Sequence, residues 1–337
     1  MKKIRVGLLC GNDISTKLEP TQNNPVNVEG NNDAWKLIDQ KSDIEYARLH
    51  ITKNYLKQGR RWDLDSFDVL FNAISDYDQN PGTLSVIEKI AKGTSTPILN
   101  APQKIKMTTR DAVSNALGKA EDIYTPTTRR VPNATADRLL RAIDDMDADY
   151  PFIIRSAGTH TGNIMNLVSC ADDVAKLTIS KRDTCYVTEF VDFRDRNGYF
   201  RKFRVFCIGG NIIPRHALSG ETWNIHAAVR GEVMRSNPSL IEFEKKFLET
   251  WTCIPNLHSS IQKIRRKLRC EYLGIDFSLK ADNTMLIFEA NPVMNFFPFS
   301  DDIAFSYSKS IIPNAIQAMT HLIGDALSMP RGTERAI

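Results

Sequence analysis

Three side chains near the C-terminal end, Asp276, Glu289 and Asn291, carry only oxygen as a useful metal-binding atom and stand where a hairpin would gather them. Two alternating apolar runs, 273–279 and 285–290, flank the turn-forming cluster Ala281-Asp282-Asn283-Thr284, and that arrangement is a hairpin signal. With Asp282 and Asn283 as a two-residue loop, Ala281 pairs with Thr284 and Asp276 falls opposite Glu289. Asn291 then shares their face. Directly opposed side chains on a sheet lie roughly 4.5–5.5 Å apart, so two carboxylates there repel unless a cation lies between them. Oxygen ligands of this kind suit Mg²⁺, commonly held by one or two carboxylates together with nucleotide phosphates. The alternative is a solvated hairpin face that merely carries two acids.

A second hairpin asks for the opposite charge. In "YFRKFRVFCIGGNIIPRHALSG" the pair Gly209-Gly210 separates two strand-like runs and predicts a two-residue turn. Counting outward places Arg204 opposite Arg215, a juxtaposition that makes sense across an anion. A basic solvent face in another register is the competing reading. Together the two hairpins suggest a metal–polyphosphate site.

These hairpins need a scaffold. The chain has 337 residues, 42% hydrophobic and 25% charged, enough for two or three domains with substantial cores. Residues 4–10 read as a buried strand, 42–55 as a helix opened by a Ser42/Glu45 capping box, 67–74 as a strand, 82–93 as a helix and 96–100 as a strand. This alternation predicts an α/β domain over about 1–105 with a mainly parallel sheet. No G-x-G-x-x-G occurs in it, which argues against a dinucleotide site. Further on come helices from Thr108 or Thr109 and over 135–146, a strand–loop–strand over 150–168, a short helix at 171–179 and an apolar strand at 185–193. Gly158 and Gly162 bracket Thr159, His160 and Thr161 in a loop able to close over phosphates, with a plain hairpin turn as the default reading.

Net charge is +4, which does not call for nucleic acid or an anionic membrane. A basic helix near Ser259, carrying Lys263, Arg265, Arg266, Lys267 and Arg269, lacks interleaved aromatics and reads as a solvated face. No run approaches the ~18 apolar residues of a membrane span. Six cysteines without C-x-x-C spacing fit a reducing, cytoplasmic setting.

Across 67–297 the order of these parts resembles the ATP-grasp superfamily, in particular the glutathione synthetase and D-alanine–D-alanine ligase branch. "GIDF…FEANP" is similar to its metal triad, "PFIIRSAGTHTG" to its phosphate-binding strand and flexible loop, and "VTEFVDF" to its hinge strand. "PILNAPQKIKMTTRDAVSNAL" resembles the segment entering the nucleotide domain. The resemblance implies an α/β (α+β) fold: two α+β lobes gripping ATP, 106–182 and 183–330, preceded by a Rossmann-like domain over 1–105 and followed by a tail, 331–337. It implies that Asp276, Glu289 and Asn291 hold Mg²⁺, with Mn²⁺ as an alternative. Phosphates would meet Lys106 or Arg110, Arg155, Gly158, Thr159, His160 and Gly162, and adenine the backbone of Glu189, Phe190 and Val191. Arg204 and Arg215 would stabilise the γ-phosphate and then a tetrahedral oxyanion. The implied reaction joins a small-molecule or peptide carboxylate to an amine through an acyl phosphate, and relatives often form homodimers. An ATP-grasp kinase acting on a hydroxyl, or an ATP-binding regulatory protein, would share much of this site.

Overall fold

The computed structural model describes residues 3–14, 28–38, 43–57, 61–159, 165–180 and 183–328. It opens with β1 (Ile4–Cys10), the single-turn α1 (Trp35–Ile38), β2 (Ile44–His50), β3 (Val69–Asn72), α2 (Pro81–Ala91) and β4 (Ile98–Leu99). The four strands form one parallel sheet in the order β2-β1-β3-β4. The expected helix over 42–55 is thus overturned: its first half is β2, whose seven residues pair with β1 from Ile4↔Ile44 to Cys10↔His50. The three-to-four spacing of Ile44, Ala47 and Ile51 imitated a helical stripe. The ladder offered by β1, forty residues away in sequence, is the non-local partner that no local pattern reports.

Next come α3 (Pro102–Lys106), α4 (Arg110–Leu117), β5 (Ile123–Tyr124), β6 (Thr128–Val131), α5 (Ala136–Asp144), β7 (Phe152–Ser156), β8 (Met165–Val168), α6 (Ala171–Ala175) and β9 (Cys185–Glu189). An antiparallel sheet ordered β6-β9-β7-β8 is covered by α5, whose Leu139 and Ile143 pack on Phe152, Ile154 and Val187. The chain continues through β10 (Phe200–Ile208), β11 (Asn211–Gly220), α7 (Pro238–Thr250), α8 (Leu257–Leu268), β12 (Tyr272–Leu279), β13 (Met285–Asn291) and α9 (Ile312–Leu327). These strands form a five-stranded sheet, β11-β10-β12-β13-β5. The expected basic helix is α8, and its buried stripe Ile261, Ile264 and Leu268 lies on Leu273, Ile275 and Phe277. The stretches 106–182 and 183–328 therefore lend each other a strand: β5 joins the later sheet and β9 the earlier one.

The first and last sheets share a core. Ala315, Met319 and Leu322 of α9 pack with Val6, Leu8 and Phe71 from one sheet and with Phe206 and Tyr272 from the other. Beside it lies a buried ion pair, Lys104 Nζ to Glu271 Oε1 at 2.5 Å, with side chains 9% and 1% exposed. Glu271 Oε2 accepts from the Asn100 amide at 2.7 Å, and Asn100 Nδ2 donates to Tyr272 O at 2.9 Å. Removing one member of such a pair leaves a buried charge alone, a loss of about 3–5 kcal/mol. Lys104→Met is therefore expected to lower unfolding free energy by about that much in a urea titration; a loss below about 1 kcal/mol would mean that the apolar core alone docks the two sheets.

Candidate active site

On the β12–β13 hairpin Asp276 does face Glu289, but by a different route from the one expected. The loop has three residues, 281–283: Lys280 N–H donates to Thr284 O and Asn283 N–H to Lys280 O, both at 2.9 Å, with Asn283 left-handed at φ +65°. Leu279 consequently pairs with Met285, one residue out of the expected register. A bulge beside Asp276 absorbs the difference, since Phe277 pairs with Ile287 while Asp276 pairs with Glu289. Phe288 is the extra residue, and it lines the cleft alongside Glu289.

The β10–β11 hairpin turns at Gly209-Gly210 as expected, but Arg204 lies opposite His216, not Arg215. A bulge intervenes, because Val205 pairs with Pro214 and leaves Arg215 without an opposite residue. Proline cannot donate to a ladder and favours bulges, so Pro214 was the overlooked signal. Arg215 instead donates from Nε to Phe296 O and from Nη2 to Pro298 O, each at 2.8 Å. Arg204 reaches across to the neighbouring strand and grips Asp276 through both forks, Nε to Oδ1 at 2.5 Å and Nη2 to Oδ2 at 2.7 Å. Lys202 Nζ stands 3.5 Å from Asp276 Oδ2. Burial pushes the Asp276 carboxyl up, but Arg204 and Lys202 outweigh it and hold the group below the usual carboxylate range.

Glu289 is held by Arg110 Nη2 at 2.7 Å and by Asn291 Nδ2 at 2.5 Å. Asn291 Oδ1 is buried without a hydrogen-bond partner. That orphaned acceptor beside two carboxylates suits a hard divalent cation, which takes oxygen ligands and completes its shell with water or phosphate. Among the described residues no three His, Cys, Asp or Glu side chains cluster to hold a metal, so a cation here would rest on Asp276, Glu289 and the Asn291 amide oxygen. These residues fit that role.

The opposite wall of the cleft is the β6-β9-β7-β8 sheet. Arg155 on β7 is buried, and burial together with the nearby Arg110 pushes its guanidinium down to about 9. Its Nε has no partner, Nη1 approaches Met165 Sδ at 3.4 Å, and Nη2 holds Thr159 O. Buried Arg155 and half-buried Arg110, crowding each other, favour an anion between them although Arg110 already holds Glu289. Gly158, at φ +70°, accepts through its carbonyl from Gln79. Arg130 and Tyr186 similarly meet Asp78, so this sheet touches the loop after β3 at two points. Arg110 lines the cleft, whereas Lys106 lies exposed outside it, its Nζ 5.8 Å from the Tyr77 ring centre. His160 and Gly162 fall outside the described residues.

At the end of β9, Glu189, Phe190 and Val191 line the same cleft. The Glu189 carboxylate accepts from Tyr124 Oη and, at 3.0 Å, from Thr127 N, with Lys119 Nζ at 3.5 Å. Burial raises its pKa, yet these donors leave it below the ordinary value. The Glu189 N–H goes to Thr127 O at 2.9 Å and the Phe190 N–H to Pro151 O at 3.2 Å. Lys202, His216 and Arg230 were not singled out from sequence as site residues; their roles depend on strand pairing and on Glu244, none of which a motif marks.

No family model matches this sequence, and neither does any curated protein. Solved structures do match along nearly the whole chain. D-alanyl-alanine synthetase A from Vibrio cholerae O1 biovar eltor superposes with a TM-score of 0.57 at 14% identity, over 98% of this chain and 100% of that one. The D-alanine–D-alanine ligase of Coxiella burnetii gives 0.55 at 11% identity over 97% and 96%, and the VanG D-Ala:D-Ser ligase of Enterococcus faecalis 0.54 at 11% over 95% and 99%. The chain has the ATP-grasp fold. Its two lobes are built on the β6-β9-β7-β8 sheet and the five-stranded sheet, and the parallel sheet is the Rossmann-like unit before them. At these identities the likeness is one of fold, and the chemistry of the ATP-grasp cleft rests on the residues just described.

Proposed function

We propose that the protein is an ATP- and Mg²⁺-dependent carboxylate–amine ligase, forming an amide bond through an acyl phosphate and releasing ADP and phosphate. The observation that carries this reading is the meeting, in one cleft, of Asp276 and Glu289 with the Arg110 and Arg155 guanidinium groups, Asn291 lining an adjoining pocket that shares Arg110 and Glu289. Bound at the acidic face, Mg²⁺ (or Mn²⁺) would offset charge on the transferred phosphoryl group. Arg155 would hold the phosphates from the opposite wall, and Arg110, bonded to Glu289, from beside the acidic face. Val191 supplies the backbone donor to adenine, since the N–H groups of Glu189 and Phe190 are already engaged. Arg204, fixed by Asp276, presents its remaining donor to the substrate side. The Gly158–Thr159 turn, closed onto Gln79, shields the acyl phosphate from water.

No helix among the described residues is long and apolar enough to cross a membrane. The six cysteines, all unpaired, suit a reducing cytosol. The reading is tested by ADP release from Mg·ATP in the presence of pooled carboxylic acids, with and without pooled amines. ADP formation that requires both pools is the expected result. A stable phosphoester formed on a hydroxyl without any amine, or ATP binding that no pool turns into ADP, would overturn it.

A further inference from the structure

Behind the wall formed by Arg204 and Asp276 lies a second cavity, of about 600 Å³, which the nucleotide reading does not use. Its polar side is mainly cationic: Arg204, Arg215, His216 and Arg230 line it, and the one acid on the lining, Asp302, is paired outward with Arg235 at 3.3 Å. Three of these, Arg215, His216 and Arg230, are each at least nine-tenths buried, and His216 Nε2 and Arg230 Nε have no hydrogen-bond partner. The charges do not cancel. Arg204 is matched by Asp276, and Arg230 by Glu244, whose Oε1 lies 2.5 Å from Arg230 Nη2 and whose Oε2 accepts from Tyr307 at 2.6 Å. Arg215 has no ion pair among the described residues; its guanidinium carbon sits 3.7 Å from the centre of the Phe299 ring. Burial, with Arg230 and Arg204 nearby, brings this group down to about 9. Desolvating a cation without a contacting counter-ion is costly; Glu244 and Asp33 offset Arg215 only from a distance, so a bound anion would complete its pairing. His216, pushed far below its ordinary value by burial and the same arginines, is neutral and supplies no charge of its own.

The remaining wall is aromatic: Phe297, Phe299 and Phe305. The segment carrying the first two is fixed from the parallel sheet's side, because the buried Asp33 accepts from Phe296 N at 2.7 Å and Phe297 N at 2.8 Å. A volume of this size falls in the range that encloses most of a multi-ring or dipeptide-sized molecule, and a substrate as small as alanine would leave it mostly empty.

We propose that this cavity binds one of the two ligation partners, an organic monocarboxylate with an aromatic or branched apolar body, its carboxylate against Arg215 and Arg230 and its body on the three phenylalanines. This rests on the ligase reading for the word substrate, but the binding itself needs neither nucleotide nor metal. Isothermal titration of the full chain, without ATP or Mg²⁺, with 3-phenylpropionate, acetate and neutral 3-phenylpropionamide tests it. The aromatic acid is expected to bind at least about tenfold tighter than either control, the scale of one charge-assisted hydrogen bond. Arg215→Gln should weaken it by about the same factor. Gly231, on the cavity's lip, would meet no atom within 4 Å if given a Cβ, so Gly231→Phe should fold normally and obstruct entry. Equal affinity for acid and amide, or unchanged acid affinity in Gly231→Phe, would overturn the inference. A separate ATP titration divides the two readings: ATP binding with no acid preference sinks this inference and spares the ligase, while acid binding with no ATP affinity does the reverse.

Discussion

Replacing Glu289 with Gln is expected to cut metal-dependent turnover by about 10³-fold or more, because a cation that loses an anionic ligand forfeits several kcal/mol of charge stabilisation. The structure makes the variant interpretable. Gln is isosteric and keeps an oxygen for Asn291 Nδ2, now 2.5 Å from Glu289 Oε1, so the bulged β12–β13 ladder has no reason to shift. What disappears is the charge that faces Asp276 across the ladder and answers Arg110. ADP release measured across a Mg²⁺ titration, with a thermal melt to confirm the fold, reads the effect directly. Undiminished activity at ordinary Mg²⁺ would remove the acidic face from the mechanism altogether.

Arg204→Lys is the second large effect. Arg204 holds Asp276 through Nε and Nη2 at 2.5 and 2.7 Å, and that fork fixes the direction of its third nitrogen. A lysine ammonium is a point charge on a flexible stem and cannot keep both contacts and a direction. Losing one preorganised donor to a developing oxyanion typically slows chemistry by about 10²–10³. The expected pattern is a kcat loss on that scale with the KM for ATP changed only a few-fold. Parallel losses in the two would recast Arg204 as a prop for Asp276 with no part in the chemical step.

The acidic face was legible in the sequence because strand alternation and a turn cluster suffice to bring two residues on adjoining strands together. It was legible partly by cancellation, since the loop at 281–283 is one residue longer than the sequence suggested and the bulge at Phe288 restores the register. The Arg204–Arg215 pairing had no such compensation, and the bulge beside Pro214 broke it. β2 was hidden for another reason: only its pairing with β1 distinguishes it from a helical stripe. The cationic cavity was the least visible, because His216 and Arg230 meet there only after a π-helical turn at Arg230–Met234 and the return of Glu244 from α7 bring distant segments together.

The Glu189 carboxylate joins the two places where the chain crosses into and out of the β6-β9-β7-β8 sheet, gripping Tyr124 and Thr127 on the inbound crossing from its own position on the outbound one. Two strands pinned at one point would turn about one axis if the sheet swings as a unit. Val191 sits beside that axis, while Gly158 and Thr159 lie past the opposite end of β7, whose Ser156 pairs with Cys185 when Phe152 pairs with Glu189. At about 3.4 Å per residue that is a lever arm of roughly 14 Å, so a swing of about 20° would carry the glycine turn about 5 Å and leave a base at Val191 almost where it was. A nucleotide placed as proposed, with its base at Val191, would thus have its phosphate end uncovered while the base stays anchored.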